Sequence, residues 1–594
     1  MSEFQNPQHE PGTEKRLILV FALTFIIIVL SQQFLFKKPA PQPQKQEQQQ
    51  QAAQPAAAQP AVTSPATPAP APASAAGKGS AVSSTLGKQA TQEEETVVEN
   101  DLYRITFTNR GGQVKSWILK KYTDDKGRQL ELIHPHAGQL GLPLSLWTYD
   151  EALRTKLNSI LYVPSATGQV TAPSEISFEY SDGDLTVRKT FRFDHSYVIN
   201  VDVGVVRDGK YLTVFTAWPG GFGDQTVPAS YNSQRIDYET SEKTIRLAAK
   251  KVSGGGTITG PFYWAGTLDQ YFAAIFLPDE PQNAAMVTLR NTIQIPKDLN
   301  KPNPNETMPE TVLGAAVGNL KGHISQRMFV GPMDIDLLDQ VHAVSATGKQ
   351  DGPDLRSVVD FGIFSFIAKP LFLWLKWTYH HMVANWGWAI VILTIIINIA
   401  LLPLRVMSMR SALKMQRVAP QIKAVQEKYK KYEMRDPRRA EMQTEVAALY
   451  KQHNVNPAGG CVPMLIQMPF LFAFYAMLGV AIELRHANWL WVHDLAAPDR
   501  MLILPIGIMV TTLLVQKMTP QAGMDPAQQK MMTFMMPVFL GFMSYSLASG
   551  LSLYWTVGNL VAIIQQYVMN RTELGREMRA AAAKQARKSK EAKK

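Results

Sequence analysis

Two amides and a hydroxyl set inside apolar runs are the side chains best placed to do chemistry in this sequence. Gln467 lies in the stretch Asn456 to Leu478, NPAGGCVPMLIQMPFLFAFYAML, between Pro463 and Pro469; Thr394 and Asn398 lie in the apolar run from Trp386 to Leu404. None of the three is a nucleophile or a general acid. What they offer in a low-dielectric setting is a hydrogen bond to a polar group that has lost its water. A run of ~20 mostly apolar residues spans a bilayer core. Amides and prolines are tolerated there only where neighbouring helices or a wet cavity satisfy the freed polar groups. The pattern therefore asks for a helical bundle with a polar interior. A lone Asn in such a helix reads either as an interhelical hydrogen bond or as a contact for a passing substrate, and the residue alone leaves both open.

Enzymatic motifs are missing. There is no HExxH, GxSxG or Walker loop. His134 and His136 have no acidic or Cys partner at a recognised metal spacing and read as loop residues. Gly254-Gly255-Gly256 lacks the Lys-Ser and helix of a phosphate cradle. Trp218 and Trp264, with Tyr263 and Tyr271, suit a sugar cleft or a buried core, and core is the commoner fate of such aromatics. A carbohydrate enzyme would add an acid and base lining that cleft, and the carboxylates of this region are scattered. The reading is a non-enzyme with no metal and no cofactor.

The elements that must position the polar groups follow from the order of the chain. At 594 residues it is too long for one core, and a mean hydropathy just below zero averages a polar first half with an apolar second half. The single cysteine, Cys461, forbids an internal disulfide. After a short N-terminus (1–16), residues 17–36, LILVFALTFIIIVLSQQFLF, are long enough to span and lack a small-residue cleavage site, so they are expected to stay as an anchor. Residues 37–92, rich in Pro, Gln and Ala, read as a disordered linker. From 93 to 345 period-two alternation dominates: Tyr103, Ile105, Phe107, the turn Asn109-Arg110-Gly111-Gly112, then Val187, Phe191, Phe193 and Ile199 to Val205. This predicts a large all-β sandwich.

Residues 359–382 are apolar and aromatic but broken by Lys369-Pro370 and Lys376, which suits a helix lying in the interface. Spanning helices are expected at 386–404, 461–482, 501–516, 531–549 and 551–569, with loops at 483–500 and 517–530. Between the first two, residues 405–460 form a charged helical hairpin: Val418, Ile422, Val425 and Tyr429 in one arm and Met442, Val446 and Leu449 in the other repeat at four-three spacing. Its cations, Arg405, Arg410, Lys414, Arg417, Lys430, Lys431, Arg438 and Arg439 among them, mark it as cytoplasmic. Counting spans puts the basic tail 570–594, with Arg587 and Lys588, inside as well, and the β domain outside. Clustered Lys and Arg also suit non-specific contact with ribosomal RNA, and topology alone accounts for them equally well.

Taken together, NPAGGCVPMLIQMPFLFAFYAML, LRHANWLWVHDLAAPDRMLILPIGIMV, DPAQQKMMTFMMPV and SGLSLYWTVGNLVAIIQQ resemble the signature of the YidC family of membrane-protein insertases. TNRGGQVKSWILKKY, YWAGTLDQYFAAIFLP, FVGPMD and VVDFGIFSFIAKPLF are similar to its Gram-negative members, which carry a large periplasmic domain. The resemblance implies a polytopic α-helical membrane protein of six transmembrane helices, five forming the insertase core, with a periplasmic all-β sandwich, in the bacterial inner membrane. It implies a hydrophilic groove open to cytoplasm and lipid, faced by Thr394, Asn398, Gln467, Tyr554 and Trp555. Nascent membrane proteins, the Sec translocon, the ribosome and the lipid bilayer are its implied partners.

One departure stands out. The family's arginine five residues before a helix-terminal proline is replaced here by Asn398, counted back from Pro403. A central Arg costs roughly 3 kcal/mol to insert, so this groove is expected to work by polarity and hydration, with less preference for acidic tails. A secondary transporter would share the broken helices but should show paired repeats, and none is present. A membrane-anchored periplasmic carbohydrate-binding protein is the other alternative.

Overall fold

In a computed structural model the described residues are 87–583 except 136, 223–233, 298–302, 304, 346, 430–431, 433–435, 437, 456–461, 520–525 and 581–582. The expected anchor 17–36, most of the linker, His136, Cys461, Lys430, Lys431, Arg587 and Lys588 lie outside them. The chain forms two compact units, one containing Gln421–Leu449 and the other Ser84–Pro420 with Tyr450–Lys594.

The alternating residues build three sheets. Strands Glu95–Glu99, Tyr103–Thr108, Gln113–Thr123, Gln129–Glu131 and Gly168–Thr171 make a five-stranded sheet, those of Thr257–Thr259, Ala284–Pro296, Thr307–Asn319, Phe215–Trp218 and Ser145–Trp147 a second, and a ten-stranded sheet includes Leu185–Phe193 and Val198–Arg207. Both small sheets pack on the large one. Phe107 of the first meets Phe178 and Phe191 at ring-centroid distances of 5.8 and 5.1 Å, and Thr267 of the large sheet donates to Leu313 O of the other at 3.3 Å. The end of the stretch read as linker belongs to this domain: Lys88 N–H donates to Ser181 O at 2.8 Å and Ala90 N–H to Leu161 O at 3.1 Å. Trp218 and Trp264 are fully buried, so they are core and line no cleft.

The Asn109 to Gly112 turn is held from below. Lys189, itself fully buried, donates from Nζ to Gly111 O, Gly112 O and Leu144 O at 2.9, 2.7 and 2.6 Å. Gly111 sits at φ +66°, and an added Cβ would lie 2.7 Å from Asn158 O, in helix α1 (Glu151–Ser159). Gly111→Ala should therefore cost about 2–3 kcal/mol through positive-φ strain and overpacking. Urea unfolding followed by tryptophan fluorescence checks this, and an unchanged midpoint would refute it.

The domain is anchored to the helical part through polar contacts, some of them buried. A short helix α2 (Ile335–Asp339) brings Asp336 to helix α3 (Ser365–His381), whose Lys376 Nζ lies 2.6 Å from Asp336 Oδ2, 3.5 Å from Asp334 Oδ1 and 3.2 Å from Glu483 Oε1. Lys376, which looked like a mere interruption of an apolar run, thus ties α3 to Asp334, Asp336 and Glu483 on other elements. Gln270 Nε2 donates to Gly479 O at 2.9 Å, and His486 Nε2 lies 3.0 Å from Asp125 Oδ1. The opposite face of α3 leaves Phe366, Leu373, Trp374 and Trp377 exposed.

Helices α4 (Trp386–Ala400) and α5 (Leu402–Tyr429) follow, then α6 (Arg438–Gln452), α7 (Val462–Val480), α8 (Ile503–Met518), α9 (Pro526–Ser544) and α10 (Ser549–Arg571). The helix expected over 386–404 ends at Ala400 and continues as α5 after a 49° bend. Pro403 cannot donate to the ladder, which makes this an understandable place for a break. Among the described residues no single helix is long and apolar enough to cross a membrane, whereas α4 and α5 together, as a bent pair, have the length and composition to do so. In the hairpin unit Ile422 and Tyr429 are buried, and Lys428 Nζ pairs with Glu445 Oε2 at 3.2 Å across the arms.

Candidate functional site

Helix α4 begins at Asn385, whose side chain accepts from Trp388 N–H at 3.1 Å. It buries Gly387, Ile390, Thr394 and Ile397, a stripe at helical spacing. Thr394 Oγ1 donates to Ile390 O at 2.6 Å, so its hydroxyl is satisfied within its own helix. Asn398, half-buried one turn further on, donates from Nδ2 to Thr394 O at 2.8 Å. Both side chains face α10 at Gly558, where an added Cβ would lie 3.8 Å from Asn398 Nδ2 and 3.9 Å from Thr394 Cγ2.

Tyr554 of α10 is buried and stacks on Phe474 of α7 with centroids 4.0 Å apart and planes at 16°. Trp555 beside it is half-buried. Gln467 lies two turns before Phe474 on the same side of α7, and its side chain is exposed. The α7–α10 contact is thus sealed by the Phe474–Tyr554 pair, while Gln467 stands open toward the start of α7. The structure brings Thr394 and Asn398 together and joins Tyr554 to α7; Gln467 stands apart from both pairs.

Further polar groups join this bundle that the sequence reading did not select. Asn559 Nδ2 donates to Thr511 Oγ1 and Thr512 Oγ1 of α8 at 3.0 and 2.9 Å. Gln565 Nε2 donates to Asn398 O at 3.0 Å, and Arg405 Nη1 donates to Gln565 Oε1 at 2.9 Å. A signal for α10 was available: Ser552, Thr556, Asn559 and Gln566 recur at four, three and seven residues, a polar stripe on an apolar helix. Arg405, whose place at a helix end suits a topology-setting cation better than a source of groove charge, is half-buried and bonded to Gln565 of α10.

Of the other cations, Arg410, Lys414 and Arg417 are exposed on α5, and Arg417 Nη2 pairs with Glu577 Oε2 at 2.7 Å. Arg438 grips Asp436 through Nε and Nη2 at 3.0 and 2.8 Å. Arg439 follows it in the first turn of α6, with its side chain outside the described set. The tail does not simply hang free at its start: residues 573–580 are helical, and Met578 joins Met409, Leu413 and Met569 in an apolar cluster. Among the described residues no group of three His, Cys, Asp or Glu side chains could hold a metal ion.

Comparison with known proteins adds to this geometry. The family model of the 60Kd inner membrane protein matches residues 377–576, and that of the YidC periplasmic domain matches residues 95–374. Membrane protein insertase YidC of Geobacter sulfurreducens is 34% identical over 489 residues, 79% of this chain and 85% of its own length. The protein of the same name from Syntrophus aciditrophicus is 31% identical over 584 residues, 94% of this chain and 99% of its own. A crystal structure of an active YidC insertase with its first transmembrane domain resolved aligns at 19% identity with a TM-score of 0.35, covering 82% of this chain and 94% of that one.

Proposed function

The chain belongs to the YidC family of membrane-protein insertases, and on that premise we propose that its polar bundle is the path by which client segments enter the membrane. As a family member it is a non-enzymatic inner-membrane insertase with a β-rich periplasmic domain, acting on nascent membrane proteins. The path is faced by Thr394, Asn398, Gln467, Tyr554 and Trp555, with Asn559 and Gln565 extending it. The carrying observation is the chain of hydrogen bonds among side chains and carbonyls inside an otherwise apolar bundle, from Arg405 through Gln565 to Asn398.

The physics is a lowered barrier. Placing an unpaired amide or hydroxyl in hydrocarbon costs on the order of several kcal/mol. Partners held partway across reduce that cost for the polar end of a client, and transfer of its apolar part into lipid supplies the drive. With the basic hairpin cytoplasmic, α7 runs outward, so the Phe474–Tyr554 stack closes the path on the periplasmic side and Gln467 opens it toward the cytoplasm. The 16 residues of α8 measure ~24 Å at ~1.5 Å per residue, short of a ~30 Å core, which supports local thinning of the bilayer. Six spans, both termini inside, and the Sec translocon and ribosome as partners complete the proposal.

Photocrosslinking tests it. Probes at positions 398 and 467 should capture a ribosome-held small membrane protein and lose it on release, while a probe at exposed Phe472 should not. Silence at both positions in an intact, membrane-integrated chain would place the client path elsewhere.

A further inference from the structure

The junction between α4 and α5 is short of backbone donors. The last four carbonyls of a helix have no partner within it, and Pro403, in the first turn of α5, offers no N–H to Ile399 O. Leu401 N–H serves Ile397 O and Ile399 O locally. The carbonyl of Asn398 receives its donor from another helix, Gln565 Nε2 of α10 at 3.0 Å. The other end of the same amide accepts Arg405 Nη1 from beyond the bend at 2.9 Å. One side chain of α10 therefore holds both sides of the 49° bend.

We propose that Gln565 is a positioning residue for insertion: it pins the α4–α5 bend and thereby fixes where Asn398 presents its amide. The inference rests on the groove reading above, because it assigns to Gln565 the orientation of a residue facing that groove. An amide suits this role, since its NH2 group donates to one partner while its carbonyl oxygen accepts from the other. Leucine can do neither. Glutamate keeps the acceptor for Arg405, strengthened by charge, but presents an oxygen to the carbonyl of Asn398.

The test compares Gln565→Leu and Gln565→Glu in the full chain in lipid nanodiscs at pH 8, by hydrogen exchange of the amides from 399 to 406 and by insertion of a small client in reconstituted vesicles. Both variants should exchange there roughly tenfold faster, as expected for the loss of one stabilising bond, and both should insert at least about threefold more slowly. Parental exchange in Gln565→Leu overturns the inference, as does faster exchange with undiminished insertion. Gln565→Glu behaving like the parent in both readouts also overturns it, because the contact with Arg405 would then suffice. Full insertion by Asn398→Leu, run beside them, would instead defeat the groove reading, and the exchange result at the bend would stand separately.

Discussion

Asn398→Leu should reduce insertion of a short client about tenfold, while Asn398→Arg should keep most of the activity. A net hydrogen bond contributes ~1–1.5 kcal/mol, and ~1.4 kcal/mol in a barrier is tenfold in rate. Leucine preserves volume and apolar packing against Gly558 but leaves a client's polar group without an amide partner at this depth. The backbone carbonyl of residue 398 still accepts Gln565, so the bend should survive and the loss should report the side chain alone. Arginine supplies donors in place of the amide. Reconstituted vesicles with a protease-protection readout decide the matter: full activity in the leucine variant would show that the half-buried amide is only a helix-internal contact, since its Nδ2 already donates to Thr394 O at 2.8 Å.

Lys189→Met should be a strongly damaging single change in the β domain, at about 3 kcal/mol, because it strips a donor from three carbonyls and an unsatisfied buried acceptor costs ~1–3 kcal/mol. Methionine fills the space but leaves the carbonyls of Gly111, Gly112 and Leu144 without the ammonium that serves them. The turn between the strands Tyr103–Thr108 and Gln113–Thr123 then loses its internal tie. Stability should also depend on pH through this residue. Burial pulls the Lys189 ammonium from an ordinary 10.5 down to about 7, against the three carbonyls that favour the charged form. Between those values the unfolded chain holds a proton that the folded chain has released, so stability rises with pH across that window and the deficit is complete below it. Urea unfolding of parent and variant at several pH values measures both effects. A variant as stable as its parent would refute the first, and a parent-minus-variant difference that does not rise with pH would refute the second.

Much of this molecule could be read from its residues. Period-two alternation at Tyr103, Ile105 and Phe107 marks strands, because successive strand side chains point to opposite faces. Apolar runs holding Thr394, Asn398 and Gln467 raise the expectation of a polar interior, because hydrocarbon leaves such groups no other partner. The four-three stripes ending at Tyr429 marked the hairpin. The site was less legible. Gln565 and Arg405 lie 160 positions apart, and no local pattern says that one amide will bridge a guanidinium and a distant carbonyl. Lys376 resembled an interruption, since a single lysine in an aromatic helix carries no sign of the carboxylates waiting on other elements.

The sequence by itself determined the element types and the family, because propensity and periodicity act over a few residues or along one helix. Tertiary structure alone decided that Lys189 closes under a turn more than seventy positions away, that Phe474 seals against Tyr554, and that Gln565 ties the α4–α5 bend. Each of these depends on a polar or aromatic group meeting a partner from another element. Which partner it meets is set by how the elements pack, since a buried donor or acceptor must be satisfied by whatever the fold brings within about 3 Å.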